Sequence, residues 1–162
     1  MKFREVRMHT LKDFLNLAID QEINAQKLYK HGATVAKDEK SKQFLNRLEK
    51  EEIEHEKTLF NIRETGIFDL NTPIDDESIF DVALTSHGAR SELNEKLTIE
   101  QVLEIALKRE FMAQQRYLKA AKSVKDNELV TLLNNLARDE EQHHKVVNQQ
   151  YKMHTGSMRE EF

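Results

Sequence analysis

The chain contains no cysteine and no tryptophan, and only one proline, four glycines and three tyrosines among 162 residues. Without cysteine there can be no disulfide, thiol nucleophile, iron–sulfur cluster or cysteine-based zinc site. So few turn-forming residues argue against an all-β protein, which needs a turn every dozen residues or so. No apolar run approaches the roughly 18 residues of a membrane span. The opening MKFREVRMHT lacks the apolar stretch of a signal peptide, so a cytoplasmic protein is expected. Neither sign of charge dominates: 25 basic residues are interspersed with 29 acidic ones, for a formal net charge of -4. There is no basic stripe, which excludes the usual footprint of a nucleic-acid binder. What remains is 33% charged and 38% hydrophobic residues, a balance that suits long amphipathic helices.

The chain repeats itself. A shift of 88 positions lays Thr10–Lys57 over Thr98–Lys145 without a gap, with about one position in three identical. Leu15, Ala18, Glu22, Ala25, Tyr29 and Ala33 meet Leu103, Ala106, Glu110, Ala113, Tyr117 and Ala121. Further on, Leu45, Leu48, Glu52 and His55 meet Leu133, Leu136, Glu140 and His143. Two copies are too few for a solenoid. A pseudo-symmetric pair of helical hairpins is expected instead.

Within each half, apolar residues recur at alternating three- and four-residue steps, the period of one helix face. The first stripe runs Leu11, Phe14, Leu15, Ala18, Ala25, Tyr29, Ala33 and Ala36, and Ile99 to Val124 repeats it. Thr10 with Asp13, and Thr98 with Gln101, have the spacing of a capping box. Asp38 and Asp126 stand at equivalent breaks and suit the N-caps of the second helices. The spacing predicts an all-α protein of one domain, an antiparallel four-helix bundle. One hairpin covers about residues 10–65 and the other about 98–152. A crossover spans about 66–97, with a short helix expected over 78–86, and a frayed tail covers 153–162. A connection of that length fits a crossover along the bundle better than a tight turn.

The polar residues within the stripes are the informative ones. Glu22, Glu52, His55, Glu110, Glu140 and His143 occupy positions where the periodicity calls for apolar side chains. Isolated buried charges would each cost several kcal/mol, so something must compensate them. From Glu22 to the break at Asp38 is roughly 24 Å of helix, and from Asp38 to Glu52 roughly 21 Å back. The two carboxylates of a hairpin therefore lie at nearly the same height, and the repeat imposes the same on Glu110 and Glu140. Glu-x-x-His places both side chains on one helix face. Two such hairpins packed face to face gather four carboxylates and two imidazoles. That inventory suits two divalent ions, with oxygen-rich ligands favouring iron or manganese over a structural zinc site. It is the established ligand arrangement of dinuclear carboxylate bundles. An overlapping register, Glu141-x-x-His144, breaks both the repeat and the stripe. Without metal, the same six groups would form a paired buried polar network.

On these residues, from about Thr10 to Gln150, the chain resembles the ferritin-like superfamily and, within it, the rubrerythrins. The resemblance implies a ferritin-like fold and a non-haem di-iron centre. Its ligands would be Glu22, Glu52, His55, Glu110, Glu140 and His143, with Glu52 and Glu140 as the bridges. It also implies that Tyr29 and Tyr117, each seven residues after a ligand Glu, hydrogen-bond the ligand carboxylates. Two departures stand out. Full-length rubrerythrins append a rubredoxin-like domain with four cysteines, and this chain has none. They also carry an extra Glu three residues after the third-helix ligand, where this chain has Ala113, matched by Ala25 in the first half. The site thus reads closer to the symmetric centres of bacterioferritins and simple ferritin-like proteins.

The function expected from this resemblance is reduction of hydrogen peroxide, or dioxygen, by a di-iron oxidoreductase. Two iron ions would be its cofactors, with manganese or zinc as other occupants. Electrons would come from a separate rubredoxin-like donor protein, and a homodimer is expected. The alternatives are a ferroxidase or iron-handling protein, a manganese catalase, and a non-catalytic metal-binding bundle. His9, His31, His87 and His154 are expected to have no role.

Overall fold

In the computed structural model, residues 9–81 and 96–156 are described. Four long helices carry the fold: α1 (Leu11–Val35), α2 (Glu39–Glu64), α3 (Ile99–Ser123) and α4 (Asn127–Thr155). A single 3-10 turn, Glu77–Phe80, lies in the crossover where a short helix over 78–86 was expected. The rest of that segment falls outside the described residues, as do His87 and the end of the expected tail. The second hairpin outlasts its expected end at residue 152. Helix α4 continues to Thr155 and stops at Gly156, whose φ of 77° gives the left-handed C-terminal turn that glycine adopts most readily.

The helix starts follow from local chemistry. Thr10 and Thr98 each close a reciprocal capping box, with Asp13 and Gln101. The Asp38 side chain accepts from the Ser41 N–H, and that of Asp126 from the Leu129 N–H. The crossover returns to finish the first cap. The N–H groups of Leu11 and Lys12, which lack partners within their own helix, donate to the carbonyls of Thr72 (2.8 Å) and Leu70 (3.1 Å). Thr10 and Pro73 form an isolated antiparallel bridge beside them.

Each hairpin packs α1 on α2, or α3 on α4, along its length. The hairpins meet chiefly through α1 and α3, while α2 and α4 touch lightly. The apolar core is consequently split in two. One cluster joins Leu11, Phe14, Leu15 and Ala18 to Leu59, Ile62, Leu133 and Leu136, and the crossover adds Phe68, Ile74 and Ile79 as a plug. The other joins Leu28, Tyr29, Leu45 and Leu48 to Val102, Leu103, Leu107 and Val147. The six ionisable residues singled out by the sequence lie in the helix segments between these clusters, all of them buried. Among the described residues, no helix is long and apolar enough to cross a membrane.

The helix stripes were legible down to individual residues, with modest differences. Ile19, Leu28, Leu107 and Ala137 join the core, while Ala33, Ile99 and Leu132 are only half-buried. Three helices crowd around Gly32, where an added Cβ would lie 2.8 Å from Val102 Cγ1 and 3.1 Å from Leu45 Cδ1. A branched valine on a helix cannot swing clear of such a contact. G32A should therefore lower stability by about 1–3 kcal/mol, overriding the helix propensity that alanine adds. Thermal unfolding tests this, and an unchanged or raised melting temperature would show that the three helices can part there at no cost.

Candidate metal centre

Glu22 lies midway along α1 and Glu110 midway along α3, while Glu52–His55 and Glu140–His143 lie midway along α2 and α4. The fold brings all six together in two overlapping groups. Glu22, Glu52, His55 and Glu140 form one, and Glu52, Glu110, Glu140 and His143 the other. In each group one potential ligand atom per residue lies within 4.8 Å of all the rest. Glu52 and Glu140 belong to both groups, the placement a bridging carboxylate needs.

The atoms facing the middle are buried and lack hydrogen bonds: Glu22 Oε2, both oxygens of Glu52, Glu110 Oε2, Glu140 Oε1, and Nδ1 of His55 and His143. His55 Nδ1 lies 2.8 Å from Glu140 Oε1, and His143 Nδ1 lies 2.7 Å from Glu52 Oε1, but neither contact has hydrogen-bond alignment. Buried polar atoms without partners are scarce in folded proteins. Seven converging on one point suit a cation, and their chemistry, carboxylate oxygen with one imidazole nitrogen per group, fits a divalent transition metal. The buried Glu/His cluster can therefore bind metal ions.

The outward-facing atoms of Glu22, Glu110, His55 and His143 are engaged, and the bonds cross between the halves. Tyr117 Oη donates to Glu22 Oε1 at 2.5 Å, and Tyr29 Oη donates to Glu110 Oε1. His55 Nε2 meets Asp139 Oδ2 at 3.1 Å, and His143 Nε2 meets Glu51 Oε2 at 2.6 Å. A carboxylate on the far nitrogen holds Nδ1 as the free, basic edge of each ring, the usual support for a metal-ligating histidine. Glu51 and Asp139 were missed in the sequence, where the charge run around Glu51 reads as a solvated helix face. The signal was present, because the 88-residue shift superposes them.

Glu141 and His144, the rival register, stay out of both groups. Glu141 is exposed, with its carboxylate 3.8 Å from Lys145 Nζ, and the His144 ring is tilted against Phe111. His9 stacks on Phe80, and the Nε2 of His154 meets Ser41 Oγ at 3.2 Å.

Two openings reach the cluster. Between α1 and α3 a cavity of about 20 Å³, measured as space for the centres of water-sized molecules, touches all four carboxylates and neither imidazole. Its walls include Ala25, Ala113, Arg109 and Arg116. On the opposite side, between α2 and α4, a wider acidic opening of about 330 Å³ leads past Glu51, Glu54 and Asp139 to the two histidines.

Crowding sets the protonation of the metal-free cluster. Burial, then the charges of Glu22 and Glu110, push Glu52 well above the usual carboxylate range. Burial, then Glu110 and Glu52, do the same to Glu140. For Glu22 burial also acts upward, but contacts with Glu52 and His55 outweigh it and leave the group below its ordinary value. Burial opposes the charged form of His143, yet Glu110 and Glu140 raise it to about 9; His55 is raised further by Glu140, Glu22 and Glu52. Tyr29 and Tyr117 are held well above 10 by burial and by the adjoining carboxylates, and so remain donors.

Residues 101–161, which include nearly all of α3 and all of α4, match the family model of rubrerythrin, a member of the ferritin-like superfamily. A solved structure of a hypothetical protein from Pyrococcus furiosus shares the fold. It is 24% identical, with a TM-score of 0.67, and the likeness covers 92% of this chain and 93% of that one. No curated protein matches the chain.

The shifts have a consequence for the metal-free protein. A histidine raised from 6.5 to about 9 contributes stability that is complete below pH 6.5 and lost as the pH climbs through 9. Ionisation of the raised Glu52 and Glu140 acts in the same direction. Stability of the chelator-treated protein should fall from pH 6.5 to 9, by about 3 kcal/mol for His143 alone. Denaturant titrations across that window test this, and stability that rose with pH would contradict the buried like-charge cluster.

Proposed function

We propose that this chain, a ferritin-like bundle whose second hairpin carries the rubrerythrin match, is a non-haem di-iron oxidoreductase that reduces hydrogen peroxide or dioxygen. The observation that carries this reading is the pair of overlapping ligand groups sharing Glu52 and Glu140. Glu22, Glu52, His55 and Glu140 would hold one iron, and Glu52, Glu110, Glu140 and His143 the other. Bound iron would supply electrons, one per metal, and Lewis acidity.

The chain's own residues do the rest. Four carboxylates balance two dications, so the occupied centre is neutral in a dry interior. Asp139 and Glu51 fix the ring orientations of His55 and His143, and the tyrosines fix Glu22 and Glu110 while leaving the second oxygen of each carboxylate free. Reduction of peroxide to two waters takes two electrons and two protons. Tyr29 and Tyr117 donate their phenol protons in hydrogen bonds to Glu110 and Glu22, carboxylates that line the cavity, and a proton passed along either bond reaches its edge. The size of that cavity favours a small oxidant, since an organic substrate would need several hundred Å³. A separate rubredoxin-like protein as electron donor belongs to this proposal on resemblance alone. A homodimer remains part of this proposal on resemblance alone.

The acidic opening past Glu51, Glu54 and Asp139 favours a second reading, in which ferrous ions arrive as substrate and the activity is that of a ferroxidase. Anaerobic loading with two equivalents of Fe(II), followed by rapid mixing with peroxide and separately with dioxygen, distinguishes the two. Absorption of the oxidised iron in the near ultraviolet reports the rate. Faster oxidation by peroxide supports the peroxidase, faster oxidation by dioxygen supports the ferroxidase, and no oxidation by either overturns both.

Two sets of variants probe the ligands. E140Q should leave the metal-free melting temperature unchanged or higher, because it removes a member of a like-charge cluster. The same change should abolish the thermal stabilisation that metal confers. Stabilisation by metal that survives in E140Q would remove Glu140 from the ligand set. In the E51Q/D139N pair, metal affinity should drop about 10- to 100-fold, as is usual when the support of a ligating histidine is lost. Competition with a chelator measures it, and wild-type affinity would mean that the two carboxylates are incidental.

A further inference from the structure

The ligands are two-fold symmetric, but the cavity beside them is not. Glu22, Glu52 and Ala25 line it together with their counterparts Glu110, Glu140 and Ala113. Arg116 lines it too, and its counterpart in the first half is Leu28, an ordinary core residue. Arg116 is 5% exposed as a residue and interacts with the charges of Glu22 and Glu140, but its guanidinium forms no hydrogen bond and no close ion pair among the described residues, and its nitrogens keep what solvent contact the residue has. A guanidinium carries five N–H donors and does not lose its charge in proteins. Enclosing one with no close hydrogen-bond partner is costly, whereas a leucine, as the first half has, would satisfy the packing alone. Arg109, the repeat counterpart of Gln21, adds a second guanidinium to the same wall.

Charge counting gives the missing partner its sign. Two divalent ions cancel the four carboxylates, and the guanidinium groups of Arg116 and Arg109 then leave the cavity wall with positive charge in excess. Its size limits the occupant, because a single water needs about 10–15 Å³ of such space and the cavity offers about 20 Å³. We infer that the cavity between α1 and α3 is a binding site for a monoanion of two or three heavy atoms, held by the Arg116 guanidinium beside the carboxylate cluster. Hydroperoxide is the member of that class suited to the proposed reaction. The inference rests on the dinuclear reading, and Arg116 acts within it as a specificity-determining residue.

The test uses Co(II), whose visible spectrum reports its ligands, with azide as the anion and no oxidant present. The full chain is loaded with Co(II), the stoichiometry is measured, and azide is titrated while the visible Co(II) spectrum is followed. Wild type should hold two Co(II) and show a saturable azide-dependent change. R116L, which copies the first half, should keep two Co(II) and weaken azide at least tenfold, and R116K should recover much of that loss. If R116L does not melt cooperatively, R116M takes its place. Equal azide affinity in wild type and the neutral variant would overturn the site, and so would two bound Co(II) with no azide response in wild type. A loss that R116K does not relieve would also overturn it, since shape rather than charge would then be responsible. Failure of wild type to hold two Co(II) would instead sink the dinuclear reading, and this inference with it.

Discussion

Four carboxylates enclosed between two apolar clusters are the constraint around which the rest of this bundle is arranged. At close range their mutual repulsion in a poorly solvated interior far exceeds what a few hydrogen bonds repay. The metal-free chain answers by holding protons, on Glu52 and Glu140 and on both histidines, where an occupied centre would hold cations. Protons and metal are thus alternative occupants of one charge-balancing role. The apolar clusters on either side, and the crossover plug of Phe68, Ile74 and Ile79, supply the stability that lets such a layer persist.

The two halves are also mutually dependent. Each tyrosine serves the carboxylate of the other half, and each histidine is braced by a carboxylate of the other half. A single hairpin would carry the ligand types without their supports. The crossed pattern explains why the sequence repeat is strongest at these positions: a change at Tyr29 is felt at Glu110, so neither half can drift alone. It further explains the light contact between α2 and α4, whose facing sides are occupied by imidazoles and acids in place of interlocking apolar side chains.

Much of this was legible in the sequence because helical period and repeat act together. Period alone marks Glu22 as a polar residue in an apolar stripe; the repeat turns that oddity into a matched pair with Glu110 and gives both a common height. Caps at Thr10, Asp38, Thr98 and Asp126 were readable for a similar reason, since capping depends on residues within four positions. What escaped was whatever depends on the angle at which separate helices meet. Glu51 and Asp139 stand one step off the stripe, and only the packing of α2 beside α4 turns them towards the histidines. The crossover's return to the first turn of α1 is equally invisible, because Leu70 and Thr72 contribute backbone carbonyls and leave no mark in residue type.

Departures from the repeat carry as much information as its matches. Drift at solvent-facing positions is cheap, and differences such as Asp20 against Lys108 need no explanation. At buried positions a difference must be compatible with the core, and most are apolar for apolar, as Phe14 against Val102 is. Leu28 against Arg116 is neither: it exchanges a packing residue for a buried charge beside an otherwise symmetric cluster. A chain under pressure only to fold would remove that arginine, because the symmetric solution already exists in its own first half. Its presence makes one side of the centre electrically distinct from the other, with a guanidinium wall between α1 and α3 and acids between α2 and α4. Such polarity separates the approach of anions, between α1 and α3, from the approach of cations, between α2 and α4.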